Sequence, residues 1–282
     1  MDYSKASDEL QGLLAYMDTN IEAVTDISTN LQERIFKVIY QELLLFDTLQ
    51  GRISVGADFK KRILLIEQRI YEILGQNNYA DIIDKFTLSF QTIEEMNIAL
   101  QRSVNDLNVA VSKLSPIRKL VYEQTKDALT SSLAPAYVEP AKMLLMQQAT
   151  SGAGIQDSIA LLEKWNAGEL ASGKYTQGTP APNLQQYNTQ VARDSAYGLH
   201  RNFNNIVKDT YGLNSFIYVG NIIKDSRPLC KHLVGLHRPI KLDELPVLLK
   251  EYPEGLYPDT TKDNFLNVCG GYSCRHQALA VR

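Results

Sequence analysis

Two short segments near one end of the chain carry the residue types best suited to chemistry. The first reads Asp225-Ser226-Arg227-Pro228-Leu229-Cys230-Lys231-His232, and the second reads Cys269-Gly270-Gly271-Tyr272-Ser273-Cys274-Arg275-His276. Cys230 and His232 are two positions apart, as are Cys274 and His276. In extended backbone such a spacing turns both side chains to one face. Two such pairs brought together make a Cys2His2 tetrahedron suited to zinc, and Cys269 could replace one ligand. The other reading leaves Cys230 and Cys274 as small buried packing residues, or as a disulfide formed after release from the cell. Asp225, Arg227 and Arg275 offer a carboxylate between two guanidiniums, a staple for a module with little core. The pair Gly270-Gly271 suits a positive φ or a close backbone approach. It does not open a phosphate loop, because no Lys-Ser/Thr follows it into a helix. A Cys–His nucleophile and base would need an acyl-transfer motif or an oxyanion hole around them, and neither is visible. Binding rather than turnover is therefore expected. His200 and His237 stand alone and are expected at the surface or at helix caps.

These residues sit in a distinctive context. The chain has 282 residues and three cysteines, all after residue 227, and five of its ten prolines also fall there. A sparse, odd cysteine count argues against a secreted disulfide scaffold and fits a reducing cytoplasm. The formal charge is −3, which argues against a protein dedicated to coating DNA. Residues 184–282 hold 12 Lys/Arg against 9 Asp/Glu, leaving 17 against 23 for residues 1–183. No apolar run approaches the roughly 18 residues of a membrane span, and the start Met1-Asp2-Tyr3-Ser4-Lys5 has no signal-peptide pattern.

The elements upstream are read from periodicity. Residues 21–50 place Ile21, Val24, Ile27, Leu31, Ile35, Val38, Leu45 and Leu49 on one helical stripe, with Glu42 in one step and Gly51 as a left-handed cap. A second helix follows Asp58 through Phe59, Ile63, Ile66, Ile70 and Ile73 to Gly75. The third is the strongest: Ile83, Phe86, Phe90, Ile93, Leu100, Val104, Leu107, Val111 and Leu114 alternate by threes and fours, with Asn97 as the polar step. Thirty-two residues at about 1.5 Å each predict a rod of roughly 48 Å. Ser115-Pro116 reads as the start of a fourth helix, closed by Pro135 and Pro140. The expected architecture is mainly α: a bundle of long antiparallel helices over residues 1–150, and a short helix and linker over 151–183. A small α+β module over 184–282 completes it. The Ile83–Leu114 stripe is either core or an interaction seam for self-association or a ring-shaped partner. In the module, a helix is expected from Leu184 to Tyr211, ended by Gly212, before a strand at Ser215-Phe216-Ile217-Tyr218-Val219.

In that module a run of positions is similar to a known family. A helix bearing Arg193 leads into Phe216-Ile217-Tyr218-Val219-Gly220. Asp225, Arg227 and Cys230 follow, then Gly235, a variable loop from Leu242 to Thr261, and finally Gly270, Gly271, Cys274, Arg275 and His276. This order resembles the minor head proteins of tailed bacteriophages, the phage Mu F-like or head-morphogenesis family, over about residues 184–282. Ser226-Arg227 stands where the family usually has Thr-Arg, and residues 1–135 carry no matching motif. The resemblance implies a structural virion protein in the head or neck, assembled in the bacterial host cytoplasm. It would contact the portal or major capsid protein and packaged double-stranded DNA, and serve head assembly, packaging or genome delivery. The alternative is an internal ejection protein whose amphipathic helices leave with the genome.

Overall fold

The structure, a computed structural model, describes residues 3–46, 48–54, 56–75, 79–131, 138–169, 183–269 and 274–282. It is mostly helical, with long helices packed antiparallel and a small C-terminal three-stranded antiparallel sheet. Among the described residues no helix is long and apolar enough to cross a membrane. The chain divides into two compact units that interleave along the sequence. One holds residues 1–21, 88–123 and 193–282, and the other holds 22–87 and 124–192.

α1 spans Tyr3–Leu43, starting well before the predicted Ile21. The same spacing continues upstream through Leu10, Leu13 and Met17, all buried, so the stripe is longer than the segment first read from it. Gly51 does not cap this helix. Gln50 and Gly51 both have positive φ and form the two-residue loop of a hairpin between β1 (Thr48–Leu49) and β2 (Arg52–Ile53). Positive φ at both loop residues is the geometry whose twist matches paired strands.

In the second unit, α2 (Ala57–Gly75) presents Phe59, Ile63, Ile66 and Ile70 as buried residues, and the Phe46 and Phe59 rings lie 5.3 Å apart. α5 (Glu139–Thr150) and α6 (Ile155–Asn166) complete its helices. Pro140 stands in the first turn of α5, where a missing N–H costs nothing, so it opens that helix rather than closing the previous one. Pro135 lies outside the described residues, as does most of the predicted linker. The hairpin turn is pinned to α6, because Ile155 donates its N–H to the Gly51 carbonyl at 3.2 Å. Glu42, the polar step of α1, is 2 % exposed and lies 2.6 Å from Arg69 and 3.4 Å from Arg62, both on α2.

The predicted 32-residue rod is two helices. α3 (Tyr79–Asn105) ends before α4 (Val111–Leu129) begins. Asp106 adopts φ 53°, and Leu107 donates to the Gln101 carbonyl while Asp106 donates to Arg102. The Asp106–Arg102 bond is the 5→1 closure of the αL motif, with Asp in the left-handed position. The apolar phase runs on through the break, which hides it. Ile83, Phe86, Phe90, Ile93, Leu100, Leu107 and Leu114 are all buried. Val104 is half-buried, and Val111 faces solvent at 55 % exposure. The stripe is therefore core within the chain, not a free interaction seam. Pro116 lies inside α4, which starts at Val111 rather than at Ser115.

In the first unit, α7 spans Leu184–Tyr211 and lies partly in each unit. It closes at Gly212, whose φ is 63°, with Leu213 donating to Lys208. β3 (Ser215–Val219) is the central strand of a sheet ordered β4-β3-β5, with β4 at Ile240–Lys241 and β5 at Gln277–Val281. Every pairing is antiparallel, from Ser215↔Val281 to Val219↔Gln277 on the β5 side. Between strands lie α8 (Pro228–Gly235), α9 (Leu245–Glu251) and α10 (Phe265–Val268). Both edges of a three-stranded sheet offer unpaired backbone groups, and on β5 asparagines take them. Asn105 Nδ2 donates to the Ala280 carbonyl at 2.9 Å, and its Oδ1 accepts the Arg282 N–H at 3.0 Å. Asn204 Oδ1 accepts the Ala280 N–H at 3.2 Å. Replacing Asn105 with alanine strands two backbone groups and is expected to cost about 2 kcal/mol. Urea denaturation checks this, and a loss near zero would mean water reaches that edge.

Candidate metal centre

β3 buries both faces. Phe216 and Tyr218 share one face with Phe265, at ring distances of 5.3 and 5.9 Å, and this aromatic floor carries the site. His276, just before β5, stacks on Tyr218 with an interplanar angle of 8°. On its other side His276 lies against residue 220, which is glycine. A Cβ there would lie 2.5 Å from His276 Cδ2 and 2.9 Å from its Cα, and φ is 150°, in the region that favours glycine. Gly220→Ala is expected to cost about 3 kcal/mol from strain and collision. Gly235→Ala, where a Cβ meets nothing within 4 Å, is expected to change little. Thermal unfolding of the two variants side by side tests this, and equal midpoints would contradict it.

Cys274 and His276 flank Arg275 in extended backbone, and alternation buries both while Arg275 is exposed. Cys230 arrives from α8, which Pro228 opens at a first-turn position. The segment is helical rather than extended, so Cys230 and His232 diverge. Cys230 is 1 % exposed. His232 instead stacks on Tyr252 at 4.9 Å, with its Nδ1 3.3 Å from the Tyr252 hydroxyl. His232 thus drops out of the expected ligand set because two residues on a helix lie on different faces. The remaining three meet: the donor atoms of Cys230, Cys274 and His276 all lie within 4.8 Å of one another. Cys230 Sγ is 3.8 Å from Cys274 Sγ, which is 3.6 Å from His276 Nδ1. The Tyr218 hydroxyl lies 3.4 and 3.5 Å from the two sulfurs. Their hydrogen bond holds the Cys274 thiol well below, and the Cys230 thiol well above, the usual thiol range. Burial raises Tyr218 far above the phenol range, so it stays a neutral donor.

Cys269 is buried but separate. Its Sγ points at the Leu266 carbonyl at 3.7 Å, and burial raises its pKa. It carries φ 47°, a conformation a β-carbon disfavours. Gly270 and Gly271 lie outside the described residues. Arg201 is a residue the sequence reading passed over. From α7 it donates to the Cys274 carbonyl at 2.5 Å, the His276 carbonyl at 3.5 Å and Gln277 Oε1 at 3.2 Å, clamping the segment that carries two of the three donors. An arginine eight residues after Arg193 has no local signature; only the tertiary approach of β5 defines its task.

The three donors line a cavity of about 590 Å3 with Gln11, Asp18, Arg193, Tyr197, Asp225, Arg227 and Arg275 among its walls. Tyr197 donates to Asp18 at 2.5 Å. Burial and then the like charge of Arg275 lower the pKa of Arg193. The expected staple is not formed: among the described residues no ion pair within 4.0 Å joins Asp225 to Arg227 or Arg275. The arginines line the cavity instead of closing on one carboxylate, and Arg227 lies against Gly255. His200, expected near the surface, is fully buried in the same unit. Its Nδ1 lies 2.8 Å from Asn97 Oδ1, and the amide of Asn97 donates to Ile93.

Comparison of the chain with family models, with curated proteins and with solved structures gives no match.

Proposed function

We propose that this chain is a minor head protein of a tailed bacteriophage. In this reading it is a structural virion component, assembled in the bacterial cytoplasm and carried in the head or neck. It works by binding the portal or major capsid protein beside packaged double-stranded DNA, in head assembly, genome packaging or delivery. The observation that carries the reading is convergence. Arg193, Gly220, Asp225, Arg227, Cys230, Cys274, Arg275 and His276, eight of the positions on which the family resemblance rests, surround one cavity although they come from separate segments. Residues that follow a family order only by chance have no reason to meet. Three arginines against Asp18 and Asp225 give the cavity wall a modest cationic excess. That suits an acidic protein surface or occasional phosphate contacts better than continuous DNA coating.

Peptide mass spectrometry of purified particles tests the proposal. The chain is expected in intact virions in few copies, and it is expected to remain in heads that have released their DNA. Its absence from purified particles overturns the reading. Its loss together with the genome makes it an ejection protein instead.

A further inference from the structure

We infer that Cys230, Cys274 and His276 form a zinc centre whose fourth coordination position faces the cavity. The inference is independent of the head-protein reading, since it rests on donor types and distances alone.

A tetrahedral zinc with Zn–S of about 2.3 Å and Zn–N of about 2.0–2.1 Å has S···S edges of about 3.8 Å and S···N edges of about 3.6 Å. The corresponding distances are 3.8 Å for Cys230 Sγ–Cys274 Sγ and 3.6 Å for Cys274 Sγ–His276 Nδ1. Two of the three donor–donor distances are thus those of edges of the metal's own polyhedron, and the third lies within 4.8 Å. All three side chains are buried, and the ring nitrogen that faces Cys274 Sγ is His276 Nδ1.

The supports around the donors are those a fixed site needs. Gly220 lets His276 sit against the backbone, Arg201 holds the Cys274 and His276 carbonyls, and the Tyr218 hydroxyl reaches both sulfurs. Such neighbours orient ligands and tune the metal. Charge also balances. The centre holds the dication with two thiolates and a neutral imidazole, any thiol proton still present leaving to solvent, so the occupied site has no net charge in a buried place. Three protein ligands leave one position, which water fills in sites of this kind. Because all three donors line the cavity, that position opens onto it rather than into packed core.

The test uses the full chain expressed with added zinc and purified under reducing conditions. Elemental mass spectrometry is expected to find about one zinc per chain. After chelation, Co2+ titrated into the metal-free protein is expected to give the visible bands of tetrahedral cobalt and a thiolate charge-transfer band. Cys274→Ser is expected to weaken cobalt binding at least tenfold, and His232→Ala is expected to bind as the wild type does. If Cys274→Ser fails to fold, the wild-type chain decides by its cobalt spectrum, a thiolate charge-transfer band of two-sulfur intensity being expected and its absence overturning the inference. Folded wild-type protein that binds neither metal overturns the inference. So does cobalt binding unchanged by Cys274→Ser, or a Cys230–Cys274 disulfide in protein taken from reducing cytoplasm.

Discussion

Acidification from pH 6.5 toward pH 3 will destabilise the protein by about 1.4 kcal/mol per pH unit through His200 alone. Burial first, and then the charge of Arg201, depress the folded-state pKa of His200 from 6.5 to about 3. The sign follows from proton counting. Above pH 6.5 the imidazole is neutral in both states and has no pH-dependent effect. Between 6.5 and about 3 the unfolded chain binds a proton that the folded chain refuses, so stability falls as pH falls. The refusal is structural. Asn97, Asn204 and the ring itself form a buried chain with no carboxylate in it. Asn97 Oδ1 lies 2.8 Å from Nδ1, and Asn204 Nδ2 lies 3.2 Å from Nδ1 and 3.0 Å from Nε2; a backbone hydrogen bond to Ala278 favours the charged ring, but burial outweighs it. His200→Gln keeps a neutral hydrogen-bonding side chain and removes the titration. Urea unfolding at pH 7, 6, 5 and 4 should therefore give the wild type a steeper decline than the variant by that slope, with other carboxylates cancelling in the difference. Parallel curves would mean that His200 is protonated in the folded protein.

Glu42→Ala is expected to cost about 3 kcal/mol, the low end for breaking a buried ion pair. The carboxylate is 2 % exposed, while Arg62 and Arg69 are 26 % and 42 % exposed. Both guanidiniums can therefore return partly to water when the carboxylate is lost, which limits the damage. The remaining cost is the hole left in the α1 stripe and the loss of the link from α1 to α2 in the second unit. Adding Arg69→Ala to the variant should cost less than Arg69→Ala costs alone, because its partner is already gone. Denaturation of the four proteins of that cycle measures the coupling. Additive losses would show that the carboxylate and the guanidinium act independently.

Local patterns made some parts of this fold readable in advance. The span Leu184–Tyr211 and its stop at Gly212 follow from helical periodicity and a left-handed cap, and Ser215–Val219 follows from a β-branched and aromatic run. The α3–α4 break was hidden because Leu107, Val111 and Leu114 continue the apolar phase across it. Asn105, Asp106 and Asn108, three turn-forming residues around Leu107, are the signal that outweighs phase there. In the site, Cys274 and His276 were legible because an extended segment obeys the period of two. His232 was misplaced because Pro228 starts a helix, and the 3/4 spacing of Leu229, Cys230 and Leu233 marks its buried face. Arg201, Asn105 and Asn204 act through contacts with β5, which no local spacing encodes. The carboxylate between two guanidiniums does occur, but at Glu42, because Arg62 and Arg69 lie seven apart on one face of α2.

Density for the assembled particle at side-chain resolution is the most direct measurement of the central proposal, that this chain is a head protein whose distant motifs act as one centre. The expected map has the first unit seated in the head or neck beside portal or capsid subunits, with Cys230, Cys274 and His276 around a single peak. Purified particles assembled where this chain is expressed that show no density for it, or that show those three residues apart, would contradict the proposal.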